Sequence, residues 1–307
     1  MNDVITRARR IRPREWALIG IIGVLIIALV VIGSVIWPHP AATPADPSTT
    51  SVATTAPDPT PTPTATPTPT DFAANTDTYD AHALPEANVF AVLPQLPVDP
   101  EPEAPFAGYT ARALTGMVPV WADPLGEPVA ALPQEHRYGG TTVAVVQRQE
   151  NWVQVLLTGR QSVPSTGSSA QLTGWLRTSD IELAPLDTTV EVNLTARTID
   201  IVHAGVAERI ASDFGSGADS SATPLGRAFI HLTEVTSFAY TRGHPIVYLS
   251  LQSPVLDGFG GTSVAVTAFH YHDNRTGAIS NGCLRLSEAA ITKLAELPAG
   301  TGVVIRE

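Results

Sequence analysis

Apolar and polar positions change period several times along the chain, and each change marks a candidate element. From Trp16 to Trp37 the run WALIGIIGVLIIALVVIGSVIW contains no charged residue. At 1.5 Å per residue its ~22 residues reach roughly 33 Å, enough to cross a hydrocarbon core. Residues 16–37 therefore read as a transmembrane helix, retained because the apolar region of a cleaved signal is normally only about 7–15 residues. From 38 to 105 apolar periodicity disappears into Pro, Thr, Ala and Asp, including the near-repeat PTPTPTATPTPT. Such a tract buries too little apolar surface to offset chain entropy and is expected to be a disordered, semi-extended linker. In polyproline II its ~68 residues would span up to about 200 Å.

Short alternating segments begin at about residue 108. Those at 118–121, 141–147, 152–157 and 174–176 are separated by Gly-, Pro-, Asn- and Ser-rich turns, which predicts a small all-β module over 108–185. Strand patterns continue at 190–193, 198–202, 207–212, 227–232, 246–252 and 264–270, so the 188–307 domain is also mostly sheet. One helix is expected near the end, over 287–297. There Ile291, Leu294 and Leu297 share a face, Ser287 can cap the N-terminus, and Pro298 to Gly300 stop the helix. A last strand follows at 302–305. Glycines at 258, 260 and 261 make 253–261 the natural candidate for a mobile loop over a site.

Charge adds topology to this picture. The formal net charge is -11, while Arg7, Arg9, Arg10, Arg12 and Arg14 crowd the short tail at 1–15. The positive-inside rule then keeps that tail in the cytoplasm and sends everything after Trp37 across the membrane: single-pass, N-in, with the globular part extracytoplasmic. With no basic patch in the later chain, nucleic acid is excluded as a partner.

The chain has a single cysteine, Cys283, so no internal disulfide can form. It is either a small buried hydrophobe or a reactive thiol. Its setting, Ser280-Asn281-Gly282-Cys283-Leu284-Arg285, favours chemistry. Glycine lets the backbone approach a carbonyl, the N–H groups of Gly282 and Cys283 can face an oxyanion, and the helix that follows can lower the thiol pKa. The base has to be a histidine, drawn from His203, His231, His244, His270 and His272, with the last two closing the strand pattern VAVTAFHYH. Two imidazoles and a thiolate would also suit zinc, but no fourth ligand has a telling position. Trp152 and Trp175 read as core residues of the first β module in preference to a ligand groove.

The heptapeptide at 280–286 resembles the signature of the L,D-transpeptidases of the YkuD type: a histidine, a gap, then Ser/Thr-His/Asn-Gly-Cys-hydrophobic-Arg. A second segment, Thr223-Pro224-Leu225-Gly226-Arg227-Ala228-Phe229, is similar to the family's Thr-Pro-x-Gly-x-Phe. The phrases NWVQVLL and TGWLRTSDIEL likewise resemble bacterial SH3-like domains. The resemblance implies a mainly β architecture: a YkuD-like β-sandwich with one C-terminal helix, preceded by a small SH3-like β-barrel and a transmembrane helix. It implies Cys283 as nucleophile, His270 as its base with His272 as the alternative, the Tyr271 backbone carbonyl orienting the imidazole, and Gly282 in the oxyanion hole. Arg285, Asn281 and Ser280 would then contact substrate, and Gly226 would serve a structural turn. The implied partner is the peptidoglycan stem peptide, with carbapenems as covalent inhibitors, and no metal or organic cofactor is required. Hydrolysis of the same thioester, an L,D-carboxypeptidase activity, and a catalytically weak wall-binding protein are the alternatives.

Overall fold

Seven antiparallel strands lie between Tyr109 and Pro185 in a computed structural model that describes residues 71–307. The basic tail, the apolar span at 16–37 and the first part of the linker lie outside the described residues. Among those described, no helix is long and apolar enough to cross a membrane. The strands are β1 (Tyr109–Ala113), β2 (Met117–Trp121), β3 (Pro128–Pro133), β4 (Thr142–Arg148), β5 (Trp152–Leu157), β6 (Leu172–Arg177) and β7 (Ile181–Pro185), in the order β3-β2-β6-β5-β4-β1-β7. Alternate apolar side chains from these strands form one core, including Val120, Leu132, Val143, Val155 and Leu176. Trp121, Trp152 and Trp175 make a second cluster, with Trp121 and Trp152 edge-to-face at 5.0 Å between centroids. The tryptophans thus fill the interior, and each such pair adds about 0.5–1.5 kcal/mol beyond simple burial.

The second sheet contains β8 (Thr188–Asn193), β9 (Thr198–His203), β10 (Val206–Ala211), β11 (Gly215–Gly217), β12 (Gly226–Val235), β13 (Pro245–Gln252), β14 (Val266–Tyr271), β15 (Gly277–Ser280), β16 (Leu284–Leu286) and β17 (Gly302–Arg306). Their order is β10-β9-β8-β17-β12-β13-β14-β16-β11-β15, with β8/β17, β14/β16 and β11/β15 parallel. The chain is mainly β with one α-helix among the described residues, α1 (Glu288–Ala295). Ser287 caps that helix by accepting from the Ala290 N–H, and Ala290, Ile291 and Leu294 bury its apolar face. Central β12 is buried on both faces over Gly226–His231, where Ala228, Phe229 and Ile230 lie between the buried polar side chains of Arg227 and His231. At the other extreme, edge strand β10 carries Glu208 and Arg209 outward, side chains that discourage pairing with another sheet.

Residues 71–105 correct the expectation of a disordered linker. Ala87, Leu93 and Leu96 enter the first core, because apolar side chains recur between the prolines of this stretch as they do not in the Thr-Pro repeat. Phe72 packs edge-on against Trp175 and Tyr79 against Trp121, each at 5.5 Å. Trp152 Nε1 donates to Ala73 O at 2.9 Å. Asp99 makes a two-pronged ion pair with Arg227 of β12 at 2.7 and 2.9 Å, with both side chains almost wholly buried. Phe229 of the same strand belongs to the first core, so both sheets and the 71–105 segment belong to one compact unit over the described residues.

Candidate active site

A cavity of about 220 Å³ opens beside β14 and β16 and is lined by Cys283, His270, His272, Arg285, Tyr240 and Phe259, among others. The register explains the grouping: β14 and β16 run parallel with His270 opposite Arg285, and Cys283 immediately precedes β16. The strand end thereby presents an imidazole, a guanidinium and a thiol to one space.

The backbone conformation of the cysteine loop depends on a glycine. Gly282 has φ +109°, a region closed to residues bearing Cβ. Ser280 ties the loop internally, accepting from Gly282 N–H at 3.1 Å and donating to Cys283 O at 2.6 Å. From outside the loop, Thr223 donates to Gly282 O and accepts from Gly217 N–H, both at 2.9 Å, and Ser221 donates to Ser280 O at 2.8 Å. The segment at 223–229 is therefore structural at its first residue, which braces the loop that carries the thiol. Gly226, with φ +110°, starts β12 at a point where a Cβ would meet Pro102 Cβ at 2.9 Å.

Two of the expected site residues, Ser280 and Gly282, are tied to each other within the loop. Ser280 is buried, lines the cavity, and uses its hydroxyl to brace the loop from within. The Gly282 N–H is likewise engaged by Ser280, which leaves the Cys283 N–H as the freer of the two proposed oxyanion donors. Asn281 is exposed at the cavity mouth. Arg285 is half-buried, reaches Asn274 O at 3.4 Å and keeps a buried Nε without a partner. Such an orphaned donor on a cavity wall is suited to a ligand carbonyl or carboxylate.

The two candidate imidazoles are held in opposite tautomers. His270 Nδ1 lies 2.8 Å from Tyr271 O and must donate to it, so Nε2 carries the lone pair. His272 Nδ1 accepts from the Asn274 N–H at 2.9 Å, which puts its proton on Nε2. Tyr240 sits edge-on to His270 at 5.1 Å and stacks on His272 at 6.0 Å. Burial pushes the His270 pKa down to about 4, helped by the positive charge of Arg285, against the opposing pull of the Tyr271 carbonyl.

The thiol moves the other way. Burial raises the Cys283 pKa above its ordinary value, and a hydrogen bond from the Ala268 backbone together with the charge of Arg285 only partly offsets this. That corrects the expectation of a helix-lowered thiol. Strand β16 separates Cys283 from α1, so the helix terminus is spent on its own Ser287 cap. Thiol and imidazole both rest neutral near pH 7. The sulfur lies 3.8 Å from Val266 O, a weak contact compatible with a protonated S–H.

Among the described residues, no group of three or more His, Cys, Asp or Glu side chains is arranged to hold a metal. Of the remaining histidines, His231 is buried with Nδ1 donating to Tyr138 O, His203 pairs with Thr188 at the exposed end of β9, and His244 packs against Tyr271. None of these three lines the cavity. Tyr240 and Phe259 carried no motif that could single them out. Their only signal was an aromatic side chain in a turn, and Phe259 lay inside the glycine-rich segment at 253–261.

A half-buried thiol beside a neutral imidazole in a mainly β chain defines the class: a candidate cysteine-nucleophile site. No family model and no curated protein matches the chain. Solved structures similar to part of it include L,D-transpeptidases. An L,D-transpeptidase from Stackebrandtia nassauensis is 22% identical over 40% of this chain and 56% of its own, with a TM-score of 0.30. L,D-transpeptidase 3 of Mycobacterium tuberculosis, solved with a faropenem-derived adduct, is 12% identical over 56% of this chain and all of its own, with a TM-score of 0.34. The Ldtfm–avibactam carbamoyl enzyme is 18% identical over 39% of this chain, with a TM-score of 0.28. The chain spans only 48% of that last protein's length.

Proposed function

We propose that the chain is a peptidoglycan L,D-transpeptidase held at the outer face of the cytoplasmic membrane by the 16–37 helix. The observation that carries this reading is the cavity that joins Cys283 to His270, whose Nδ1 is committed to Tyr271 O and whose Nε2 can therefore take a proton. The motif around Cys283 supplies the substrate class. His270 Nε2 accepts the Cys283 proton as sulfur attacks the carbonyl of a tetrapeptide stem. The Cys283 N–H stabilises the oxyanion, and Arg285, with its unpartnered Nε, holds a substrate carbonyl or carboxylate. Collapse breaks the amide C–N bond, His270 returns the proton to the departing D-alanine amine, and a thioester remains on Cys283. An amine of a second stem then attacks the thioester, passes its proton to His270 and regenerates the thiol, forming a 3-3 cross-link.

The chemistry uses no metal or organic cofactor. Carbapenems would acylate the same sulfur, opening the lactam ring without a leaving group. Incubation with tetrapeptide muropeptides tests the reading. Released D-alanine with a cross-linked dimer supports it, and trimmed tripeptide without dimer replaces it by hydrolysis. No D-alanine and no acylation of Cys283 by a carbapenem would remove it.

A further inference from the structure

A seam of hydrogen bonds runs from the N-terminal sheet to the loop after β13, the loop that closes one side of the Cys283 cavity. At its start, Ser250 donates to Gln171 Oε1 at 2.6 Å and Ser169 donates to Ser253 O at 2.9 Å. Further out, the backbone N–H and hydroxyl of Ser165 both reach the Asp257 carboxylate, at 2.9 and 2.6 Å. Beneath them, Arg160 Nη2 donates to two carbonyls, Asp257 O at 2.8 Å and Ser263 O at 2.6 Å. Those two residues flank the turn that carries Phe259 into the cavity wall.

The turn between the two anchors is tightly built. Phe259 N–H donates to Val264 O at 3.0 Å, and the Thr262 hydroxyl lies 2.8 Å from both Phe259 O and Val264 O. A Cβ on Gly258 would meet Thr262 O at 2.1 Å, so the turn can close only around glycine. Where Phe259 sits is therefore set by how the turn is held at 257 and 263.

Arg160 is costly to keep. It is 2% exposed, its Nη1 has no partner, and its pKa is pushed below the ordinary guanidinium value by burial. Its backbone is fixed as well: its N–H donates to Ala91 O and its carbonyl accepts from Leu93 N–H. A buried cation whose hydrogen bonds go to loop carbonyls is an expensive way to stabilise a fold and an effective way to orient a loop.

We infer that Arg160, on the N-terminal module, is a positioning residue for the Cys283 site: it holds the Phe259 wall and so sets the size and placement of what reaches the sulfur. The substrate half of this statement rests on the transpeptidase reading, whereas the access half concerns the thiol alone. Because the chain has one cysteine, alkylation reports on that thiol specifically.

The test compares alkylation of the full chain in detergent by iodoacetamide and by fluorescein maleimide, followed by intact mass, in wild type, Arg160→Ala, Arg160→Met, Arg160→Lys and Asp257→Ala. Asp257→Ala removes the Ser165 anchor and leaves the carbonyl that Arg160 uses, so Arg160→Met, which keeps the apolar stem without the donors, keeps the test alive if Arg160→Ala does not fold. The ratio of bulky to small reagent rates is expected to rise about tenfold in Arg160→Ala, equivalent to about 1.4 kcal/mol of lost closure. Asp257→Ala should move it in the same direction by less, and Arg160→Lys, which keeps a donor, should lie nearer wild type. With tetrapeptide muropeptide, KM should rise in Arg160→Ala while kcat stays within about twofold. An unchanged ratio in folded Arg160→Ala, or in Arg160→Met where the first does not fold, overturns the inference. If wild type turns over no muropeptide but the ratio still responds, the transpeptidase reading fails and the positioning role stands. Turnover in wild type with ratio and KM unmoved by the variants removes the positioning role and leaves the transpeptidase reading intact.

Discussion

Alkylation of Cys283 across a pH range reads the resting charge of the site directly, since iodoacetamide reacts with thiolate and the chain offers no other cysteine. A preformed thiolate–imidazolium pair would hold the sulfur ionised from about pH 4 upward, as low-pKa catalytic cysteines do, and the rate would be nearly flat between pH 5 and 8. The structure argues for the neutral pair. His270 is pushed down to about 4 by burial, so placing a proton on it at pH 7 costs about 4 kcal/mol, and the Cys283 thiol is raised. A free thiol of pKa about 8.5 is roughly 0.3% ionised at pH 6, and Cys283 should lie below that fraction. The alkylation rate should therefore climb about tenfold per pH unit through neutrality, with no plateau until the alkaline range. Turnover should behave differently. It needs neutral His270 as base, so kcat/KM should lose activity only as pH falls toward about 4. A flat alkylation profile between pH 5 and 8 would refute the neutral resting pair.

Thr223→Val removes the hydroxyl that serves Gly217 N–H and Gly282 O; the two orphaned groups should cost about 1–3 kcal/mol each in urea unfolding, and Thr223→Ser should recover most of it. Asp99→Ala strands the buried Arg227 guanidinium and should cost about 3–5 kcal/mol, whereas the double variant Asp99→Leu/Arg227→Met should recover much of that loss. Stability should also fall with acid. His231 and His270 are each pushed down to about 4, so between about pH 6.5 and 4 the unfolded chain binds protons that the folded chain refuses, and unfolding free energy drops by up to about 3 kcal/mol per histidine. Chemical denaturation at pH 7, 5.5 and 4.5 measures the slope, and His231→Gln, if folded, should remove about half of it.

The parts of the molecule legible in the sequence are those whose signal is local. Strand β13 shows a run rich in apolar residues, α1 shows a cap, an apolar face and a stop, and the loop at 280–285 shows a glycine beside a cysteine. The strand β16 between Cys283 and α1 was not legible, because three residues are too few to display a period. It is this strand that separates the thiol from the helix terminus and leaves burial to set its pKa. The 71–105 segment hid for another reason. Its composition is that of a linker, and it is ordered by surfaces that lie far along the chain: Trp175 for Phe72, Trp121 for Tyr79 and Arg227 for Asp99. The brace from Thr223 to Gly282 and the seam from Arg160 to Ser263 are likewise long-range hydrogen bonds, which no spacing along the chain records.

A neutral thiol and a neutral imidazole look like poor tools for nucleophilic attack, yet the same burial that keeps them neutral sharpens their response to a substrate. In a cavity where His270 is buried, charge separation between sulfur and His270 is costly until an electrophilic carbonyl takes up the electrons on sulfur and the Cys283 N–H meets the resulting oxyanion. Arg285 adds a fixed bias, since its charge lowers both pKa values and so favours thiolate while disfavouring imidazolium. On the transpeptidase reading, negative charge migrating from sulfur to the carbonyl oxygen stays within that field throughout the step. Arg285→Gln should therefore slow acylation by a carbapenem more than it weakens initial binding, whereas Arg285→Lys, which keeps the charge and gives up the fork, should retain more of the rate than of the affinity for a carboxylate-bearing donor. Equal losses in both parameters for both variants would make Arg285 a binding residue only.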